Sequence, residues 1–112
     1  MAEKRAAHRI AVQLRACYRS SQTVIEGVVS DLSRLGMFLR SDFLDAPGQV
    51  VTIDLELPGD AEPVLLALTG AVVRVETAPD HSGMGIRFDQ LPDDARRPLA
   101  NFMIDASYQA LR

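Results

Sequence analysis

The stretch IAVQLRACYRSSQTVIEGVV, residues 10–29, decides the fold. Ile10, Val12, Leu14, Ala16 and Tyr18 alternate along it, while Arg9, Gln13 and Arg15 fall on the opposite face. A period of two marks a strand with one buried face. Ser20, Ser21 and Gln22 supply a turn, and the β-branched run Thr23 to Val29 returns as a hairpin-paired second strand. The pattern continues outward. Gly36 opens a short strand over Met37 to Arg40, and DAPGQ (45–49) is a turn by composition. Val50 to Leu57 follows, with Val51, Ile53, Leu55 and Leu57 inside and Thr52, Asp54 and Glu56 outside. PGDAEP (58–63) leads to a long strand, Val64 to Glu76; APDHSG (78–83) reads as the last loop, and Met84, Ile86 and Phe88 alternate in a final strand.

After Pro92 the period changes to that of a helix, with Leu99, Phe102, Met103, Ala106 and Ala110 forming one apolar stripe. Asp93 and Asp94 suit its N-terminal side. Proline is tolerated only in a first turn, so Pro98 places the start of the regular helix near Arg97. Six short strands and one helix predict a mainly β fold, a six-stranded antiparallel β-barrel with a C-terminal α-helix. Residues 1–112 form a single domain: a flexible basic arm over 1–9, the barrel over 10–91 and the helix over 92–112.

Charge is distributed unevenly. The first twenty residues carry five Lys or Arg against one Glu, whereas the remainder carries seven against fourteen acidic residues. With a net charge of −3, the chain suits one local anionic partner and not a nucleic-acid polymer, which would need many phosphate contacts from one basic surface. No apolar run reaches the ~18–20 residues that span a bilayer, and no h-region follows the basic start, so neither membrane insertion nor a secretory signal is expected. Cys17 is the single cysteine, which excludes an internal disulfide and suits a cytoplasmic setting. Its expected place is buried strand packing.

Two clusters carry chemistry. Arg5 and Arg9 are spaced R-x-x-x-R; on an extended arm they share a face and stand up to ~13 Å apart, enough to grip a compact ligand. They equally describe a solvated basic terminus. The second cluster is SDLSRLG, residues 30–36, on a tight connection between strands. Asp31 and Ser33 can hydrogen-bond nearby backbone in a turn, and Gly36 can adopt positive φ. A carboxylate there can instead accept from the N1–H and N2 amine of guanine, a serine can donate to phosphate, and arginine can read guanine O6 and N7 or pair with phosphate.

The two motifs in this order, Arg5-Ala-Ala-His-Arg9 and Asp31-Leu-Ser33-Arg-Leu-Gly36, resemble the PilZ domain family. The resemblance covers nearly the full chain, including GQVVTIDLELP (48–58), LTGAVVRVE (68–76) and GMGIRFDQL (83–91). It implies a small β-barrel with a C-terminal helix that serves as a receptor for the bacterial second messenger cyclic di-GMP. It implies that Arg5 and Arg9 hold phosphates and the Hoogsteen edges or faces of guanines. Asp31 would take a Watson–Crick edge, Ser33 would bind phosphate or guanine, and Gly36 would keep the turn open against the ligand. Many members carry a second arginine where this chain has Lys4, which keeps the charge but lacks the planar fork. One bound dinucleotide or a stacked pair are both compatible with that change. Arg74 falls where members often set a large residue against a guanine, and it equally reads as an outward strand residue.

His8 reads as a member of the arm near phosphate, and His81 as a loop residue. No histidine lies in metal-ligand spacing, no triad or P-loop is present, and the carboxylates read as scattered over outward strand faces. The expectation is a non-enzyme with no cofactor or metal. The resemblance makes cyclic di-GMP its expected ligand, with a signal passed to an unidentified protein effector by ordering of the arm. A ligand-independent adaptor of the same fold is the alternative. A single-stranded RNA-binding barrel would need stacking platforms, and aromatic residues are only 5% of the chain. Excess apolar width on the helix, at Ile104 or Tyr108, would be surface for docking a partner.

Overall fold

The computed structural model describes residues 8–110, with side chains to Tyr108. Lys4, Arg5 and most of the basic arm lie outside the described residues. The elements are β1 (Ile10–Arg19), β2 (Val24–Leu32), β3 (Gly36–Arg40), β4 (Val50–Leu57), β5 (Val64–Ala78), β6 (His81–Phe88) and α1 (Asp93–Ala110). The strands form a closed antiparallel barrel in the order β1-β2-β3-β6-β5-β4, with β1 also paired to β4. This is the architecture the alternation predicts.

Strand periodicity sends Tyr18, Val29, Leu39, Ile53, Leu55, Leu68 and Met84 into the lumen, each at most 1% exposed. Burial of each such side chain favours folding by ~1.5–3 kcal/mol. Ala95 and Leu99 of α1 join this core, with Phe102 and Met103 packed beside them. No described helix is long and apolar enough to cross a membrane. The loop between β3 and β4 contributes Asp45, which is 5% exposed. Its Oδ2 accepts a hydrogen bond from the hydroxyl of Tyr18, and its backbone N–H lies 3.3 Å from Met84 Sδ. Asp45 is thus an exception to the expected pattern of outward carboxylates: the Tyr18 donor makes burial of its polar atom affordable. Ala46 to Gln49 then turns, with Gln49 N–H donating to the Ala46 carbonyl at 3.1 Å and Gly48 at φ 99°.

Six sequence expectations change. The β5–β6 connection is a two-residue hairpin turn, Pro79-Asp80, because Ala78 pairs with His81 and Thr77 with Ser82. His81 is accordingly a strand residue. The segment Ser30 to Leu32 belongs to β2, leaving Ser33 to Leu35 as the connection. The helix starts at Asp93, not near Arg97, because the Pro92 carbonyl accepts from Ala95 and Arg96 N–H, both at 3.0 Å. Pro98 therefore lies inside α1 and forgoes a bond to the Asp94 carbonyl; burial of Ala95 and Leu99 holds that stretch in place. Gly36 does not use positive φ, which among the described glycines belongs to Gly48 alone. Cys17 is half-buried on the outer face of β1, 3.7 Å from Arg19 Nη1, because Ala16 and Tyr18 take the inward positions.

Candidate functional site

Register brings the two sequence clusters together. β1 pairs with β2 through Ile10–Leu32 and Ala11–Asp31, so Arg9 enters the sheet beside the end of β2. Its Nη1 stands 3.4 Å from Asp31 Oδ1, with the side chains 35% and 32% exposed. That spacing is longer than the ~2.7–2.9 Å of a charge-assisted hydrogen bond. Oδ1 is itself buried and has no hydrogen-bond partner among the described residues. The carboxylate is electrostatically compensated yet retains an unused acceptor, and a buried unsatisfied acceptor is rare enough to need an explanation.

Ser33 is buried and organises the connection that follows. Its Oγ accepts from Leu35 N–H at 3.0 Å and Gly36 N–H at 3.2 Å, and its backbone N–H donates to the Gly36 carbonyl at 2.9 Å. The hydroxyl hydrogen is directed at the same carbonyl across 3.5 Å. Gly36 is required by close approach: a Cβ there would lie 2.3 Å from the Ile86 carbonyl oxygen. Its pairing with Arg87 holds the loop against β6, as does the 2.8 Å bond from Phe88 N–H to the Leu35 carbonyl.

A row of outward positions runs from this corner across the barrel. Asp31 pairs with Phe38, Phe38 with Gly85, and Gly85 with Arg74. Three inter-strand steps of ~4.8 Å make the row ~14 Å long. Phe38 is a surface-facing aromatic that is nevertheless only 1% exposed. The His81 ring stacks on it at 4.8 Å and 7°, and the Arg74 guanidinium stands 5.5 Å from its centroid. Glu76 holds both covers, with Oε2 3.3 Å from Arg74 Nε and Oε1 3.5 Å from His81 Nε2. Gly85 leaves room for Arg74, since a Cβ there would lie 2.8 Å from its Nη1.

The structure thus brings Arg9, Asp31, Ser33 and Gly36 to one corner and sets Arg74 at the far end of the same row. His8 is exposed at the edge of the corner. Lys4 and Arg5 lie outside the described residues. Phe38 and His81 were not legible as neighbours, because they meet only through the β3–β6 pairing. Alternation alone does show Phe38 pointing outward between Met37 and Leu39. No cluster of three or more potential metal ligands occurs among the described residues.

The chain is a closed six-stranded antiparallel barrel followed by one helix, with an arginine–carboxylate corner beside a serine-braced loop. The PilZ domain matches residues 3–105, and the chain belongs to that family. No curated protein matches the sequence. Among solved structures, the chain is similar to the Bacillus subtilis inhibitor of motility MotI/DgrA, with a TM-score of 0.85 at 14% identity. That match covers 99% of this chain and 55% of the other, so the chain spans about half the length of that relative. The PilZ domain of YcgR from Escherichia coli, solved with c-di-GMP, matches with a TM-score of 0.72 at 12% identity, covering 96% and 95% of the two chains. The PilZ domain of CeSA from a cellulose-synthesizing bacterium matches at 0.53 and 23% identity, over 71% and 79%. These likenesses establish the fold.

Proposed function

We propose that the chain is a cyclic di-GMP receptor that binds the dinucleotide on the outer face of its barrel, at the Arg9–Asp31 corner. The observation that carries this reading is the 3.4 Å approach of Arg9 to an Asp31 oxygen that has no hydrogen-bond partner among the described residues. Guanine offers N1–H and N2–H donors to such a carboxylate, while the Arg9 fork serves a phosphate or guanine O6 and N7. The Ser33 oxygen already accepts two backbone N–H groups, so its role toward a phosphate is to donate the hydrogen now aimed at the Gly36 carbonyl. Gly36 keeps that loop seated on β6. Arg74, with buried Phe38 packed beneath it, lies along the row that a second base would follow.

Arg5, with Lys4, supplies the remaining positive charge from the N-terminal arm, and exposed His8 is a further contact for the ligand. Closure of the arm over bound ligand changes the surface offered to a protein effector, and this is the signal. The YcgR domain solved with c-di-GMP supports the reading by fold likeness.

Calorimetric titration tests it. Cyclic di-GMP should bind at low-micromolar affinity or better, ~8 kcal/mol or more, with GTP and GMP much weaker. Arg9→Ala should cost ~1.5–3 kcal/mol, about ten- to a hundredfold in affinity. Asp31→Ala should weaken cyclic di-GMP more than cyclic di-AMP, since adenine lacks both donors. Absence of binding at ~100 µM, far above the expected Kd, would sink the proposal.

A further inference from the structure

A second concave surface lies beside the corner, between the β2–β3 loop, the end of β6 and α1. It is a groove of about 540 Å³ with a floor of Leu35, Phe88, Leu99, Met103 and Ile104. Leu35 is 41% exposed and Ile104 65%, and Tyr108, one turn beyond Ile104, is also 65% exposed. Positions 100, 104 and 108 are spaced i, i+4, i+8, so the apolar surface continues as a stripe along the helix for ~12 Å.

The rim has a sign opposite to that of the chain. Arg34, Arg87 and Arg96 line the groove, together with His8 and a single acidic residue, Asp89, in a protein of net charge −3 with histidine counted neutral. Asp89 accepts from Thr69 Oγ1 at 3.1 Å, and Arg96 pairs with Asp93 at 3.2 Å while donating to the Leu91 carbonyl. Arg87 is exposed and joins no ion pair among the described residues. An apolar floor parallel to a helix, with arginine forks at its edge, is complementary to an amphipathic helix bearing carboxylates beside its apolar face. Self-association through this face would set the arginines of two copies against one another.

We propose that this groove docks an acidic amphipathic helix of a partner protein, with Ile104 and Met103 as the apolar anchors and Arg87 reading a carboxylate. The inference does not depend on the nucleotide reading, and its test contains no nucleotide. Two synthetic helices of about 18 residues, some five turns, share one leucine-rich face and carry either Glu or Lys on its flanks. Each is titrated into the full chain and followed by fluorescence anisotropy. The Glu peptide should bind about tenfold more tightly than the Lys peptide. Ile104→Glu, at an exposed position, should weaken the Glu peptide by about tenfold, and Arg87→Glu should reverse the preference between the two peptides.

Equal affinity for both peptides, or indifference to Ile104→Glu, overturns the proposal. So does a concentration-dependent dimer that Ile104→Glu abolishes, which would assign the face to a second copy. Nuclear Overhauser contacts from residues 1–7 to the Met103 and Ile104 methyls would give the groove to the chain's own N-terminal segment and overturn it as well.

Discussion

A Cβ built on Gly36 would sit 2.3 Å from a backbone oxygen of β6, whereas one on Gly48 would meet nothing within 4 Å. The first position demands glycine for space and the second for its φ of 99°. Gly36→Ala should therefore destabilise by ~1–3 kcal/mol through forced strand separation, and Gly48→Ala by ~1–2 kcal/mol through left-handed backbone alone. Urea unfolding separates the two, since only Gly36→Ala should also disturb the amide shifts of Ile86 and Arg87. At Tyr18, burial and then the hydrogen bond to Asp45 push the phenol above its usual range. The sign follows from proton binding: above pH about 10 an unfolded tyrosine ionises while Tyr18 stays protonated, so its contribution to stability is full below that pH and declines above it. Tyr18→Phe should flatten this alkaline decline in melting temperature. It should also cost ~1–3 kcal/mol at neutral pH, because Asp45 loses its donor.

At the scale of elements, the β2–β3 connection depends on one hydroxyl. Ser33→Ala leaves two backbone N–H groups without their acceptor, which should cost ~1–3 kcal/mol. Amide exchange at Leu35 and Gly36 should rise well before exchange in the lumen-lining strands. β1, β4 and β6 were legible because inward and outward residues alternate along them, β2 from its β-branched run, β3 and β5 from the turns that bound them, and α1 because its apolar spacing changes after Pro92. Their edges were less so. APDHSG has loop composition throughout, yet only Pro79-Asp80 turns, because cross-strand pairing recruits Ala78 and His81. Pro98 misplaced the helix start, since sequence alone does not show that buried Ala95 and Leu99 outweigh one missing backbone bond. The site was half legible: the motif residues could be named, but the Arg9–Asp31 approach depends on β1–β2 register. The Phe38–His81–Arg74 stack depends on two further registers, and no local pattern encodes those.

For the whole molecule, charge and topology act together. An acidic body bearing arginines at the corner and along the groove favours anionic partners at both places. The strands close into a ring, and the proposed partner helix would meet it through side chains and not by strand addition. That closure rests on a short seam. β1 meets β4 through four residue pairs, Ala16–Leu55 to Arg19–Thr52, strapped by a 3.0 Å contact between Arg19 and Asp54. Seen in time instead of space, the seam is a clasp. It joins strands separated by all of β2 and β3, so its closing belongs to the long-range part of the search. Contacts that form after the folding barrier govern how quickly a protein comes apart, and leave untouched how quickly it assembles. Arg19→Ala should accordingly steepen neither limb of a stopped-flow chevron, leave the refolding rate near that of the parent, and raise the unfolding rate.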